Sequence, residues 1–433
     1  MNFPRVLHVG FNPIGNPTNT GLTLGSMFSD WPEEDLLQLY LRSRSTSSRR
    51  LSNEIVAPAR VAPMDGLVRS VLGRRLPAAL DDGLNNSVSR STQKISMRSR
   101  LRVTATVAND IGPVWLPRPL LDKIREFDPL VIHSLLGGAR VMRLVLKLSK
   151  RLDLPIVPHF MDDWAENIFA DGQLLGVARR TVESTLGQIL DRSPLLLTIG
   201  EDMQAEYQTR FNVPAVVVGN GVDVGEYTLL RTRRPTGATS TKTMRYVGGL
   251  HLGRADVVRT VGEALGARAE SAGRWILELY VPPSDAERAK HLESTVTSIV
   301  HGGSTPPAEV PALLVAADAL LFLESSMENI ARFTRLSVST KVPQYLAAGR
   351  PTLVLGPADQ GSVRTLMRAG TTAVFAGSGG DRGEVARAVD SIDGLLGEGR
   401  PGVDPAWVSE NFGVQATRAR LHDALERAAN GTA

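Results

Sequence analysis

Two short stretches carry residue types at spacings that suit an anion. In Phe333–Leu355 a hydroxyl cluster, Ser337, Ser339 and Thr340, is followed at once by Lys341, then by a helical pattern with Pro343 in its first turn and a stop at Gly349. The first N–H groups of a helix lack intrahelical partners and carry partial positive charge, so a helix start beside a lysine is a phosphate site in outline. The same cluster also reads as an ordinary N-cap, and alone it does not separate the two readings. The second stretch, Tyr246–Arg254 (YVGGLHLGR), places Gly248 and Gly249 after an apolar run, then His251 and Arg254. Paired glycines offer backbone N–H groups and a guanidinium pairs with phosphate, although Gly-Gly after a strand is also a common tight turn. Joined to Ser339, Thr340 and Lys341, this loop makes one site of two cations and two sets of N–H groups. A diphosphate needs that arrangement when no metal neutralises it.

A third stretch, His159–Trp164 (HFMDDW), puts Asp162 and Asp163 beside an aromatic at the end of an apolar run. Catalytic groups in α/β folds sit at such strand ends. Neighbouring side chains of an extended chain point opposite ways, so only one carboxylate faces a cleft; the motif also reads as an Asp N-cap with Trp164 packing beneath it. Adjacent carboxylates rarely chelate one ion. His133 ends another apolar run and could line the same cleft with His159, or serve the core. The loop Gly10–Gly25, with Gly15 and Gly21, lets backbone approach a ligand. It does not fit GxGxxG, no acidic residue follows Leu41, and no GxxxxGK[ST] occurs, which disfavours a nicotinamide dinucleotide site and excludes a P-loop.

These residues need a scaffold, and 433 residues suggest two domains. Without cysteine there are no disulfides, iron–sulfur clusters or thiolate zinc sites, and the seven histidines form no HxxxH or HExxH pair, so no metal is expected. The chain enters a strand within five residues, without the charged and apolar regions of a signal peptide, and no apolar run approaches the ~18 residues of a membrane span. A cytoplasmic protein is expected. The charge is uneven: between Arg42 and Arg102 there are 13 Lys/Arg against 4 acids. That segment could meet an anionic membrane, a phosphorylated acceptor or nucleic acid, or form a solvated surface; nucleic acid ranks last because no aromatics interleave.

Short apolar runs alternate with amphipathic segments almost throughout, the rhythm of parallel sheets covered by helices. Strands are predicted at Val6–Gly10, Leu36–Leu41, Leu130–His133, Pro155–Phe160, Leu195–Ile199 and Val216–Val218, then at Met244–Val247, Trp275–Val281, Ser298–His301, Ala319–Leu323, Thr352–Leu355 and Thr372–Phe375. Arg231–Lys242 reads as a linker or boundary loop, 42–106 as a basic elaboration, and Pro405–Asn430 as one or two terminal helices.

Taken in order, RVLHVG…NTGLTLGSMF, DPLVIHS, PIVPHFMDDW, LLTIGEDMQAEY, VVGNGVD, MRYVGGLHLGR, VPALLVAADALLFL and STKVPQYLAAGRPTLVL resemble family 4 of the retaining glycosyltransferases over most of the chain. The resemblance implies the GT-B fold, two Rossmann-like doubly wound parallel-sheet domains facing across a cleft. The first would span 1–222 and bind the acceptor; the second, 223–405, would bind a nucleotide sugar; helices in 406–433 would cross back to the first. It implies metal-independent sugar transfer with retention, from a nucleotide-diphosphate sugar to a saccharide or lipid-linked acceptor in cell-surface or exopolysaccharide biosynthesis. The enzyme would sit peripherally at the inner membrane face.

By the same resemblance, Gly21 matches the loop over the donor phosphates, Asp162 the acidic residue near the transferred sugar, and Arg254 the basic partner of Lys341. The family usually has two glutamates with seven residues between them, for the donor sugar and the ribose. Those positions fall on Leu336 and Gln344: the chain looks like the branch with the STKxPxYLA motif, which keeps only the second Glu, and here that Glu is changed to Gln. An amide keeps a hydrogen bond to ribose but loses charge assistance, about 1 kcal/mol. Two rival readings stand beside this one: a nucleotide-sugar 2-epimerase of the same fold, and a degenerate transferase acting as a partner.

Overall fold

The sequence pattern becomes structure most directly where apolar runs are shortest and most continuous. VLHVG, VIHS, ALLFL and TLVL are strands buried along nearly their whole length. Such strands belong to parallel sheets covered on both faces. The structure, a computed structural model, describes residues 3–16, 19–41, 53–57, 59–62, 97–170, 172–233, 241–268, 273–369, 372–399 and 402–431. The chain divides into two compact units, one of residues up to Gly219 together with those from Thr417, the other Asn220–Ala416.

The first unit holds a parallel sheet of seven strands, β1 (Val6–Gly10), β2 (Leu36–Tyr40), β3 (Glu54–Val56), β4 (Val131–Ser134), β5 (Ile156–Phe160), β6 (Leu196–Thr198) and β7 (Ala215–Val217). Their order is β3-β2-β1-β4-β5-β6-β7, so the winding reverses between β1 and β4. The second unit repeats the plan with six parallel strands, β8 (Thr241–Val247), β9 (Arg274–Tyr280), β10 (Ile299–Gly303), β11 (Ala319–Leu323), β12 (Thr352–Leu355) and β13 (Ala373–Phe375). Here the order is β10-β9-β8-β11-β12-β13 and the reversal lies between β8 and β11. Ligands of doubly wound sheets bind outside the carboxyl ends of the strands at such reversals.

Four differences from the sequence reading have physical causes. Within the basic segment 42–106, Glu54–Val56 is an edge strand paired with β2, and Met97–Asp110 is a helix. A three-residue strand is too short to show a period. Apart from 53, 57 and 59–62, the rest of that segment, including most of the stretch expected to meet a membrane, lies outside the described residues. The unit boundary falls at Gly219/Asn220 and not at 222/223, because the NGVD turn is tied to the second unit. Asn220 Nδ2 donates to the Val338 carbonyl at 3.1 Å, and Val222 forms a parallel bridge with Gly413. The polar stretch 231–242 is therefore interior to the second unit, although 234–240 are outside the described residues. Finally, the two C-terminal helices part company. Pro405–Phe412 packs on the helix Lys341–Ala348, and only residues from Thr417 join the first unit. There Leu421, Ala424, Leu425 and Ala428 enter the core beside Val6, Trp31 and Leu36, and Arg418 pairs with Asp30 at 2.8 Å.

Candidate functional site

In the second unit the reversal between β8 and β11 collects the cationic residues. β8 runs out into Gly248, whose φ of +150° suits a residue without a side chain and whose N–H donates to the Tyr280 carbonyl at 2.9 Å. The loop beyond is held from three sides. The Tyr246 hydroxyl donates to the Gly249 carbonyl at 2.6 Å, the Leu250 N–H donates to the Asp285 carboxylate at 2.8 Å, and the Ser325 hydroxyl donates to the Leu252 carbonyl at 2.8 Å. So fixed, the loop delivers Arg254 as the first residue of the helix Arg254–Gly266.

Glu324, directly after β11, lies 3.7 Å from the Arg254 guanidinium and is almost enclosed. Arg254 Nε is buried and has no hydrogen-bond partner among the described residues. Buried donors are nearly always satisfied in native proteins, so this one asks for an acceptor from outside. Lys341 opens the helix Lys341–Ala348 and holds its Nζ 4.7 Å from the centre of the Tyr246 ring, a cation–π contact. Burial, then the nearby Arg254 charge, pushes the Lys341 ammonium down to about 7, while Glu324 pulls the other way. The structure thus brings Gly248, Gly249, Arg254 and Lys341 together.

Ser339, Thr340 and Gln344 sit on the same helix start. The Lys341 N–H donates weakly to Ser339 Oγ at 3.4 Å, and the Ser339 N–H donates to Ser362 Oγ at 3.0 Å. Thr340 is exposed and makes no cap bond, and Gln344 is half-buried one turn on. Leu336 is 1% exposed, part of the core rather than of an open surface. Sequence reading missed Glu324 and Asp285. Glu324 had a signal, being the residue directly after a predicted strand, whereas Asp285 follows VPPS with no pattern at all.

In the first unit the expected cleft residues behave otherwise. His8 on β1 and His133 on β4 are register partners across the reversal, with Nδ1 atoms 2.9 Å apart. His133 Nε2 lies 3.4 Å from His159 Nδ1, and His159 Nε2 lies 2.8 Å from the Val218 carbonyl. All three are buried, and burial holds each below the ordinary histidine range, His8 at about 3 and His159 at about 4. His133 and His159 are therefore neutral, enclosed and bonded to one another, in place of the cleft lining expected of them.

Asp163 is also turned inward. It accepts from the Tyr207 hydroxyl at 2.8 Å and lies 3.6 Å from Arg210. This carboxylate anchors the fold and does not face an acceptor. Asp162, its neighbour, stays half-exposed after β5. Gly21 differs too: it lies inside the helix Asn19–Met27 rather than in an open loop. A Cβ there would stand 2.3 Å from the Asn16 carbonyl oxygen, so tight packing, not approach to a ligand, requires the glycine. Among the described residues one group of possible metal ligands, His422, Asp423 and Glu426, brings its atoms within 4.8 Å, on the C-terminal helix. It belongs to the first unit, whereas Lys341 belongs to the second.

Two doubly wound parallel sheets of this order define the GT-B architecture, the class of fold found in glycosyltransferases. Among solved structures the chain is similar to Anabaena HepE in complex with UDP and glucose, at 12% identity and a TM-score of 0.54 over 98% of this chain and 99% of that one. It is similar also to an α,α-trehalose-phosphate synthase (UDP-forming) from Burkholderia vietnamiensis, at 11% identity and a TM-score of 0.59 over 100% and 99%. A glycosyltransferase from Rickettsia africae gives 9% identity and a TM-score of 0.57 over 99% of each chain. At such identities the likeness is one of fold. No protein-family model matches the chain, and no curated protein matches it either.

Proposed function

We propose that the protein is a retaining, metal-independent glycosyltransferase that moves a sugar from a nucleotide-diphosphate sugar to a saccharide or lipid-linked acceptor. The observation that carries this reading is the placement of Lys341 and Arg254, with its unsatisfied Nε, over the Gly248–Gly249 turn at a sheet reversal. Negative charge grows on the diphosphate as the glycosidic bond breaks, and cations already in position stabilise it without reorganisation. Two cations and the helix-start N–H groups supply the charge that a metal would otherwise supply. The UDP held by Anabaena HepE supports a nucleoside diphosphate as the leaving group here. Asp162, half-exposed at the carboxyl end of β5, orients the sugar or acceptor, whereas Asp163 is buried against Tyr207. Gln344 takes the ribose. Buried Leu336 offers no polar contact to the sugar, which suits a deoxygenated or otherwise unusual one. A place in cell-surface or exopolysaccharide assembly, at the inner membrane face, fits the lipid-linked acceptor class.

Among the described residues no helix is long and apolar enough to cross a membrane. The epimerase reading loses support because His133 and His159 are buried against each other rather than open to a sugar. The test is turnover with a panel of UDP-, GDP- and dTDP-sugars, with and without acceptor lipids or saccharides. Lys341→Ala is expected to lower turnover about 10²–10³-fold; near-normal turnover in that variant overturns the assignment. Conversion of a nucleotide sugar without any acceptor would instead favour the epimerase.

A further inference from the structure

The helix Ala139–Leu152 (ARVMRLVLKLSKRL) has five cations and no acid. Arg143 and Lys147 are four apart and Lys147 and Lys150 three apart, spacings that put like charges side by side on one face, which disfavours the helix. A neighbouring helix, Val177–Leu190, adds Arg180, and between the two lies a groove of about 650 Å³. Among the described residues no carboxylate lines it. The one acid of the second helix, Glu183, is engaged with Arg179 at 2.6 Å.

The groove cations are held in place but not neutralised. Arg143 donates to the Ile111 carbonyl, Lys147 to the Val114 carbonyl, and Lys150 to Gln188 Oε1 at 2.7 Å. A carbonyl or amide oxygen satisfies a donor and leaves the charge uncompensated, so the groove is a fixed positive field awaiting an anion. Large apolar side chains stand in water in the groove and close to its lining residues along the chain. Leu175 is 95% exposed and Val177, which lines the groove, is 46% exposed. Trp115, 60% exposed, directly follows the residue whose carbonyl holds Lys147. Leu174 and Leu175 both adopt positive φ, 51° and 56°, a conformation leucine rarely takes and one that costs free energy.

We infer that this face of the first unit docks on an anionic lipid bilayer, with the groove cations on lipid phosphates and with Leu175 and Trp115 in the headgroup layer. A soluble phosphate compound would account for the cations but not for exposed leucine and tryptophan beside them. A bilayer accounts for both, since tryptophan favours the interface and apolar tips insert while lysine and arginine stay with the headgroups. The inference is independent of sugar transfer, because the docking needs neither donor nor acceptor.

Vesicle co-sedimentation of the full chain tests it, with phosphatidylcholine alone and with three parts in ten phosphatidylglycerol. Binding is expected to the anionic vesicles only and to weaken with salt. Each basic residue near an anionic surface contributes roughly five-fold in partitioning. The double reversal Lys147→Glu/Arg180→Glu, at exposed positions, should therefore lower the partition coefficient by more than about ten-fold. Leu175→Ser, which removes the apolar tip without changing charge, should weaken binding while leaving the salt dependence unchanged, which separates insertion from charge. Absence of binding by the wild-type chain overturns the inference, as does wild-type binding by the double variant, which would move the contact elsewhere on the chain. So does release from vesicles by millimolar tripolyphosphate at constant ionic strength, which would make the groove a site for a soluble anion.

Discussion

Gly248 and Lys341 are fitted to one another: a Cβ on Gly248 would stand 2.1 Å from Lys341 Nζ. The glycine also sits at a φ that a side chain disfavours. Gly248→Ala must therefore swing the ammonium away from its seat over Tyr246 as well as strain the turn. The expected result is at least ten-fold weaker binding of UDP, GDP or dTDP, whichever binds, with a modest loss of stability of about 1 kcal/mol. Calorimetric titration and chemical denaturation read the two effects separately. Unchanged nucleotide affinity would mean that Lys341 does not meet the ligand from this position.

The Lys341 ammonium, held at about 7, leaves the site part-charged at neutral pH. A bound diphosphate favours the protonated form, so binding above pH 7 should take up a proton. Titrations at pH 8 in buffers of different ionisation enthalpy measure that uptake directly, and affinity should fall as pH rises from 7 to 9. Lys341→Arg, charged throughout, should abolish the proton uptake. A wild-type chain with no uptake at pH 8 would sink the idea. For stability the sign is opposite in direction. An unfolded lysine binds its proton up to about 10.5 and the folded one only to about 7, so this residue's cost to folding shrinks as pH rises between those values.

The Val218 carbonyl, which can only accept, sets the protons of three histidines. His159 must donate through Nε2 and accept at Nδ1, so His133 donates through Nε2 and accepts at Nδ1, and His8 donates through Nδ1. Nitrogen-15 spectra should show His133 and His159 as Nε2–H tautomers and His8 as Nδ1–H, unchanged from pH 8 to 5. Because all three are held below 6.5, the unfolded chain takes up protons that the folded chain refuses as pH falls from 6.5 towards 4. Stability should decline through that window. A histidine of the three that titrates near 6.5 would contradict the array.

The order of strands was legible because each is a short buried run bracketed by polar segments, and Val6–Gly10 and Ala319–Leu323 stand as the sequence marks them. Arg254 and Lys341 were legible for a different reason: each follows glycines or hydroxyls at an element start, where chemistry is local. What distance along the chain conceals is pairing. Nothing near Asp163 announces Tyr207, 44 residues on, and nothing near His8 announces His133, 125 residues on. Both were therefore read as surface chemistry or passed over, when each is half of a buried contact.

That difference between adjacent carboxylates gives the last prediction. Asp163 is enclosed, accepts from Tyr207 and faces Arg210, while Asp162 beside it is half-exposed. Removing the hydroxyl in Tyr207→Phe leaves a buried carboxylate short of a charge-assisted donor, a loss of about 1.5–3 kcal/mol. Asp163→Asn should cost a similar amount, since the amide can still accept from Tyr207 but gives up its charge to Arg210. In both variants turnover per folded molecule is expected to stay within about two-fold of wild type, because neither residue is exposed to a substrate. Asp162→Asn should do the reverse, with melting behaviour within about 0.5 kcal/mol of wild type and turnover strongly reduced. Denaturant midpoints and turnover numbers on the three variants settle the division. If Asp163→Asn abolishes turnover at full stability, the roles of the two aspartates are exchanged.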